Sequence, residues 1–568
     1  MVNGITTIDD KHRMRKRIAI AVICCSLMGM ASCGTAASLR HVPLLDGYNK
    51  TVPLVSKHSA HLFTTSNNSL LKNEQGLWEL YVEGDPLEIG LAAGSLTDSL
   101  LKKQERVFFS QVNKIVPSGT KQTLLREFLK WYNRKLYLHV PEEYKAEIYG
   151  LSRYTADEFD VIAPKYLRSL YLHGAHDIGH ALQDLAMVGC TSFAAWDDKT
   201  EDGSLIIGRN FDFYAGDAFA KDKIVSFVKP DHGYPFMSLS WAGMAGVVSG
   251  MNNQGLTVTI NAAKSKVPLM ARTPVSILTR EILQYARTIE QAIAIVNKRK
   301  VFVSESIMVA SALDKKAILI ELSPDAFDIL DVPNSNQLIC SNHFQSPGLK
   351  DLRRNRQQVL NSHSAYRYER MDELLQQNNR INPIKAAGVL RNRDGLHDLP
   401  LGYGNEKALN QLRAHHGIIF QPEKLLVWVS SNPYQLGAFV CYDLNSVFGG
   451  TALPAETSFQ LTALNIAADP FLLTEAYQNY EKFRIEDHQV DSALKSKQWL
   501  SPDYLKQYQS LNPNYWVVYY KTGMYHYKRG QYAAAKIQFE AALTCEITTL
   551  PDQHRIEKYI HKITQKLQ

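Results

Sequence analysis

Cys190 stands in MVGCTSF, between a glycine and a threonine, in a chain of 568 residues that holds seven cysteines. A buried cysteine is commonly a small apolar filler. A cysteine that follows a breakable peptide bond offers different chemistry. Breaking Gly189–Cys190 would leave a thiol and an α-amine on one residue, and an amine titrating near about 8 can take the thiol proton as a built-in general base. A guanidinium beside the thiol would favour the thiolate. GRNFD, at residues 208–212, brings Arg209 and Asp212 shortly after the cysteine. Glycine at 189 permits the backbone distortion that self-cleavage needs. Gly-Cys-Thr alone is common, so at this point the filler reading stays open.

Two other chemistries are weaker. His173, His176 and His180 in HGAHDIGH fall on one helical face, and three histidines can bind zinc. The segment lacks the HExxH order that would supply a general base, so a polar helix face is the plainer reading and no metal is expected. No GxSxG elbow occurs; SLSWAG lacks its glycine frame. GxGxxG and Walker loops are absent too, so no cofactor is expected. The formal charge of +7 is partly the work of the basic amino terminus, and the rest is spread thinly, which gives no nucleic-acid signature.

That amino terminus reads as a targeting signal over residues 1–32. KHRMRKR precedes the apolar run IAIAVICCSLMGMAS, about 15 residues long and short for a membrane span. Met30-Ala31-Ser32-Cys33 resembles a bacterial lipobox, which implies lipidation of Cys33, an exported lipoprotein and attachment to the cell envelope. Several acyl chains on one residue anchor stably where one does not. Loss of Cys24 and Cys25 with the signal would leave Cys190, Cys340, Cys441 and Cys545, widely spaced and no disulfide framework. Cys340 and Cys441 sit in apolar, strand-like runs and read as filler.

The elements that must position Cys190 change character at that residue. Residues 33–77 are polar and aperiodic and read as a tether. Residues 78–189 are dominated by helical patterns such as LLREFLKWYNRKLYLHV. From 190 to about 450 short β-rich runs alternate with turns such as EDGS and NNQG, which predicts an antiparallel sheet. SILTREILQYARTIEQAIAIVNKR and residues 350–395 add helices, so the class is α+β with strands between helical layers. Beyond GGTALPAETS, residues 455–568 are helical. Gly530, Tyr532, Ala535, Phe539 and Ala542 carry the spacing of a tetratricopeptide repeat, which cannot bury its own face and predicts packing against flanking helices.

CTSF, GRNFD and GMNNQGLTVTINA, in that order and spacing, resemble the cysteine branch of the N-terminal-nucleophile hydrolases. Within it the closer likeness is to the penicillin (acyl-CoA:6-aminopenicillanic acid) acyltransferase family, with bile-salt hydrolases and penicillin V acylases more distant. The resemblance runs from about Leu77 to Leu444 and makes 78–189, including GDPLEIGLAAGSL, a pro-segment or first subunit, with 190–450 as the core or second subunit. It implies a four-layer αββα sandwich. It makes Cys190 the nucleophile, Arg209 the group favouring its thiolate and Asp212 the acceptor for the new α-amine. Asn261 in VTINA and Asn342 in CSNHF take the oxyanion-hole positions, where each donor is worth about 3 kcal/mol. Arg367 in SAYRYER takes a further arginine position.

The expected protein is therefore a zymogen that cuts itself before Cys190. It would then act on small N-acyl amides through an acyl-cysteine, with water or an amine completing the reaction. Trp241, Tyr214 and Phe344 are candidate pocket residues. The alternative from another class is an inactive binding lipoprotein that presents its helical tail to a protein partner, since folds outlive activities.

Overall fold

The computed structural model describes residues 34–174, 189–266, 268, 270–449, 457–496 and 498–568. The expected signal segment, the lipidation site Cys33, the expected zinc residues His176 and His180, and Met187–Val188 lie outside the described residues.

Two sheets stack on each other. The smaller has six antiparallel strands, ordered Gln337–Cys340, Thr191–Asp197, Gly203–Phe211, His416–Gln421, Leu426–Ser430 and Phe439–Asp443. Side chains alternate across each strand. Ala194, Leu205 and Ile207 therefore pack against Phe227, Met237 and Leu319 of the other sheet, while Phe193 and Ile206 point the opposite way. Those outward residues meet Met371 and Leu374 of the helix Ser364–Gln377 and Ala387 of the helix Pro383–Leu390. The outer face of the larger sheet is covered in the same way by the helices Pro86–Leu96, Glu142–Ser152, Val275–Tyr285 and Ile289–Asn297. The expected helix–sheet–sheet–helix sandwich is the observed fold, and strands buried on both faces explain the near-continuous apolar runs.

The larger sheet has eleven strands, and its first four precede Cys190. Residues 33–77 were expected to be a tether, and 78–189 to be helical from their first residue. Instead Ser56–Lys57, Leu62–Thr65 and Asn68–Lys72 form antiparallel strands, and Trp78–Gly84 joins them to the core by pairing in parallel with Ile224–Pro230. The hairpin turns at Ser66, which takes a positive φ of 45° without a glycine. Its polar turn and half-exposed strands hide the alternation. Glu79, buried within this sheet, accepts from Asn73 Nδ2 (2.7 Å), Tyr442 Oη (3.1 Å), Ser458 Oγ (2.8 Å) and Phe459 N (2.9 Å). That carboxylate ties the amino-terminal strands to the second sheet and to the start of the tail.

The tail is a separate helical layer with its own core. Trp516–Tyr527 and Tyr532–Leu543 form a hairpin that turns at Gly530 (φ +75°), and Ala535, Phe539 and Ala542 are buried inside it. Leu412 and Leu436 of the sandwich belong to the same cluster, so the tail is packed onto the core rather than hung from it.

The pre-cysteine helices Pro86–Leu96 and Glu142–Ser152 approach each other through glycines. A Cβ on Gly90 would lie 2.0 Å from the Glu147 carbonyl oxygen, and one on Gly150 would lie 2.7 Å from Leu91 N. Overpacking a fixed backbone contact costs about 1–3 kcal/mol. Gly90→Ala is expected to lower the thermal midpoint of the whole chain, read by circular dichroism. Gly119→Ala, where a Cβ meets nothing within 4 Å, is the control and should leave it unchanged.

Candidate active site

Cys190 opens the strand Thr191–Asp197 and is fully buried. By alternation it shares the inward face with Ser192 and Ala194, so its sulfur lies between the sheets. Arg209 lies on the next strand, on the face of Leu205 and Ile207, in register with Ser192. Its Nη2 donates to Cys190 Sγ at 3.6 Å and also to the Ile260 carbonyl. Its Nη1 donates to Val248 O (3.1 Å) and to Ser249 Oγ, and the guanidinium sits 4.2 Å from the Phe211 ring centroid. Ser249 Oγ is held in turn by His416 Nε2 (2.9 Å), and His416 Nδ1 meets His415 Nδ1 at 2.8 Å. Both rings are driven well below the usual histidine range, first by burial and then by the cationic side chains nearby. They are therefore neutral donors and acceptors that fix the hydroxyl under Arg209.

Arg367 approaches the same residue from the other side. It projects from the helix Ser364–Gln377 and is fully buried. Nη1 donates to Gly189 O (3.0 Å), Cys190 O (2.7 Å) and Thr191 Oγ1. Nη2 donates to Asn342 Oδ1 (2.6 Å), and Nε to His363 Nδ1 (3.1 Å). One guanidinium thus addresses the thiol, and the other grips the carbonyls on both sides of Cys190. Burial pulls the Arg367 pKa down to about 10, which leaves it charged at neutral pH.

Asp212 supplies the anion. Its main-chain oxygen accepts from Gly189 N (3.2 Å), yet among the described residues neither of its carboxylate oxygens has a hydrogen-bond partner, although the residue is 2% exposed. Burial pushes its pKa up to about 7, with Arg367, Arg209 and Arg413 opposing. The Cys190 thiol goes up to about 11, because burial outweighs the pull of Arg209. The sulfur therefore carries its proton at neutral pH, and a carboxyl that titrates near neutrality lies close by.

Asn261 and Asn342 belong to the same cluster, and their side-chain amides are engaged. Asn261 Nδ2 donates to Cys340 O (3.3 Å), and its Oδ1 accepts from Ser192 Oγ (2.8 Å). Asn342 Nδ2 donates to Ala262 O (2.9 Å). His173 is not arranged as a metal ligand: Nδ1 is bonded to Ser169 O and Nε2 accepts from Ala245 N, both at 2.8 Å. Among the described residues no cluster could hold a metal ion.

Ser249, His416 and Gln411 were not anticipated from the sequence. Gln411 Nε2 donates to Gly189 O at 3.3 Å and to Glu406 O at 3.2 Å. A Cβ at position 189 would lie 2.3 Å from that nitrogen, so a larger residue there would displace the end of the Gln411 side chain. The GVVSG run and the AHHG pair were visible, but nothing in their spacing marks them as neighbours of Arg209.

Near the site is a mostly apolar cleft whose walls include Phe108, Leu151, Phe213, Phe219, Trp241 and Met244. Of the three expected pocket aromatics only Trp241 lines it; Tyr214 donates to Asp217 and Phe344 is buried elsewhere. Phe213 stacks on both Phe211 and Trp241, at 5.8 and 5.9 Å, and so connects the cleft to the ring beneath Arg209.

Residues 199–399 match the family model of acyl-coenzyme A:6-aminopenicillanic acid acyl-transferase. The match holds Arg209, Asp212, Asn261, Asn342 and Arg367, begins just after Cys190 and ends before Gln411, and the likeness read from the motifs is borne out there. An uncharacterized protein of Archaeoglobus fulgidus is 27% identical over 274 residues, covering 45% of each chain. Protein dcd1B of Dictyostelium discoideum is 24% identical over 303 residues, covering 49% of this chain and 57% of its own. The matches span about half the length of these relatives. Among solved structures, a Caenorhabditis elegans ortholog of N-acylethanolamine-hydrolyzing acid amidase aligns with 41% of this chain and 93% of its own, at 19% identity and a TM-score of 0.31. A conjugated bile acid hydrolase from Clostridium perfringens aligns with 46% and 94%, at 13% identity and a TM-score of 0.31.

The Asp212 carboxyl gives a pH signature. Its folded pKa of about 7 lies above the ordinary 3.8, so the folded state binds more protons than the unfolded chain between those values. Its contribution to stability is present below about 4 and is lost as pH rises through about 7. In the uncut Cys190→Ala background, the gap in thermal midpoint between Asp212→Asn and Asp212 should widen in favour of Asn from pH 4 to 7. A gap independent of pH would contradict the assignment.

Proposed function

We propose that this chain, which over residues 199–399 is similar to the acyl-coenzyme A:6-aminopenicillanic acid acyl-transferase family, is a self-cleaving cysteine amidohydrolase or acyltransferase. The observation that carries the reading is the double grip on Cys190: Arg209 at the sulfur and Arg367 at the Gly189 carbonyl oxygen.

Sγ attacks the Gly189 carbonyl carbon and closes a five-membered ring. The thiol proton passes to the Asp212 carboxylate, and Arg367 meets the charge that develops on the Gly189 oxygen. As the carbonyl re-forms, the C–N bond breaks and the nitrogen takes that proton back from Asp212, leaving as the Cys190 amine. The resulting thioester is hydrolysed by water to the Gly189 carboxylate and a free thiol. The new α-amine then lies beside Asp212, whose carboxylate oxygens take no other hydrogen bond among the described residues. An amine titrating near about 8 serves as the base for later turnovers.

In those turnovers the thiol adds to an acyl carbonyl, the amine of the substrate departs, and water or a second amine releases the acyl group from Cys190. The apolar lining of the cleft suits an acyl chain, since ligand pockets are mostly apolar with a few polar groups. Its walls come from both sides of the cleavage point, so both pieces take part. Export would separate the enzyme from cytoplasmic acyl-CoA, which favours hydrolysis of small N-acyl amides. Attachment through a lipidated Cys33 completes the reading; among the described residues no helix is long and apolar enough to cross a membrane.

Intact-mass analysis of the purified chain should find two pieces divided between Gly189 and Cys190, and Cys190→Ala should stay whole and inactive. An active wild-type chain with that bond intact would sink the mechanism. An electrophilic acyl probe should label Cys190; a chain that is never labelled, yet captures a partner through residues 455–568, would favour the binding-lipoprotein alternative. For the anchor, a palmitate analogue should label the wild type and not Cys33→Ala. Continued labelling and membrane attachment of that variant would reject lipidation at Cys33.

A further inference from the structure

The segment 401–413, LGYGNEKALNQLR, contains neither helix nor strand. It begins beyond the last residue of the family match. It nevertheless delivers two hydrogen bonds and a nearby cation to the candidate site. Gln411 Nε2 donates to the Gly189 carbonyl oxygen at 3.3 Å, Leu409 O accepts from Asn210 Nδ2 at 2.9 Å, and Arg413 lies close enough to draw down the Asp212 pKa. Both partners of the Gln411 amide nitrogen are carbonyl oxygens, so only its NH₂ end fits there.

What holds this segment is the tail. Asn512 brackets the Tyr403 main chain, accepting from its N at 3.0 Å and donating to its O at 2.8 Å. Asn405 donates to Glu546 O and accepts from Thr548 Oγ1, each at 3.0 Å, and Lys407 pairs with the Glu546 carboxylate. Gly402, at φ +77°, lies so close to Tyr515 that a Cβ would come within 2.4 Å of its backbone. Leu412, the residue after Gln411, takes φ +52°; its carbonyl accepts from Tyr480 Oη at 3.3 Å, and its side chain is part of the tail's core.

We infer that Gln411 is a catalytic donor in the breaking of the Gly189–Cys190 bond, and that the carboxy-terminal helices are the brace that delivers it. The inference rests on the self-cleavage reading above. When Sγ bonds to the Gly189 carbon, the π electrons of the carbonyl move onto its oxygen. That oxygen then holds two donors from different elements, Arg367 of the helix Ser364–Gln377 and Gln411 of the irregular segment. The electrons return as the C–N bond breaks and the nitrogen takes a proton. Asn512 and Glu546 touch no reacting atom; they are positioning residues that act through the segment.

The test follows processing of pulse-labelled, full-length chain by intact mass, with circular dichroism melts as the check on folding. Loss of one oxyanion donor costs roughly 10²–10³ in rate. Gln411→Met should therefore slow processing about a hundredfold. Asn512→Ala should slow it less, and should add nothing in the Gln411→Met background, because both act through one contact. If Gln411→Met does not fold, Asn512→Ala and Glu546→Gln decide: wild-type rates in both overturn the brace. A wild-type chain that splits, with Gln411→Met splitting equally fast or with effects that multiply in the double variant, overturns this inference alone. A wild-type chain that stays whole, yet active, overturns the self-cleavage reading and this inference with it.

Discussion

Arg367 carries a full positive charge at the centre of the molecule, with no carboxylate of the described residues in hydrogen-bonding contact. Removing an ion from water costs several kcal/mol even after relaxation. Its position is held because acceptors surround it: Gly189 O, Cys190 O, Thr191 Oγ1, Asn342 Oδ1 and His363 Nδ1. Those acceptors belong to the start of the first core strand, the loop after Gln337–Cys340 and the helix on the outer layer. One side chain thus fixes the relation of three elements to the bond before Cys190. Asp212 balances its charge without contact, which is why that carboxyl can be buried and still titrate near neutrality.

Burial sets the order of chemical events on the proposed reading. A thiol pushed up to about 11 is a poor nucleophile towards anything that must diffuse in. The bond one residue before it needs no diffusion, and an oriented intramolecular attack gains a large effective concentration. The first reaction of the site is then with its own backbone, and the free amine that results replaces a shared carboxyl as base. The pieces have reason to stay together afterwards. Trp78–Gly84 pairs along its whole length with Ile224–Pro230, and Arg280 of the later piece forms a buried ion pair with Glu147 of the earlier one at 3.1 Å.

Local signals made much of this legible from sequence. Cys190, Arg209 and Asp212 lie within one hairpin, so their spacing in the chain reports their spacing in space. Asn261, Asn342 and Arg367 carry no such local signal; they are reached only through what the family resemblance implies for their positions. The amino-terminal strands were missed because edge strands with polar turns lack both the alternation and the glycine that mark a hairpin. Ser249, His416 and Gln411 were missed for another reason. Each meets the site through a register or a loop fold that only the assembled sandwich defines.

Gln411 shows why such residues escape motif reading. To turn an amide inward onto Gly189, the backbone from 402 to 412 must reject regular structure and place Leu412, not a glycine, at a positive φ. A segment like that cannot stabilise itself: each residue fixed without a ladder costs about 1–2 kcal/mol of conformational entropy. The compensating contacts must come from elsewhere, and here they come from the helical tail through Asn512, Glu546, Thr548 and Tyr480. The helical tail therefore bears on the geometry of the Gly189–Cys190 bond. The sequence spacing of the helical hairpin reports only that the tail packs on itself; that it also packs on the site is a property of the segment between them.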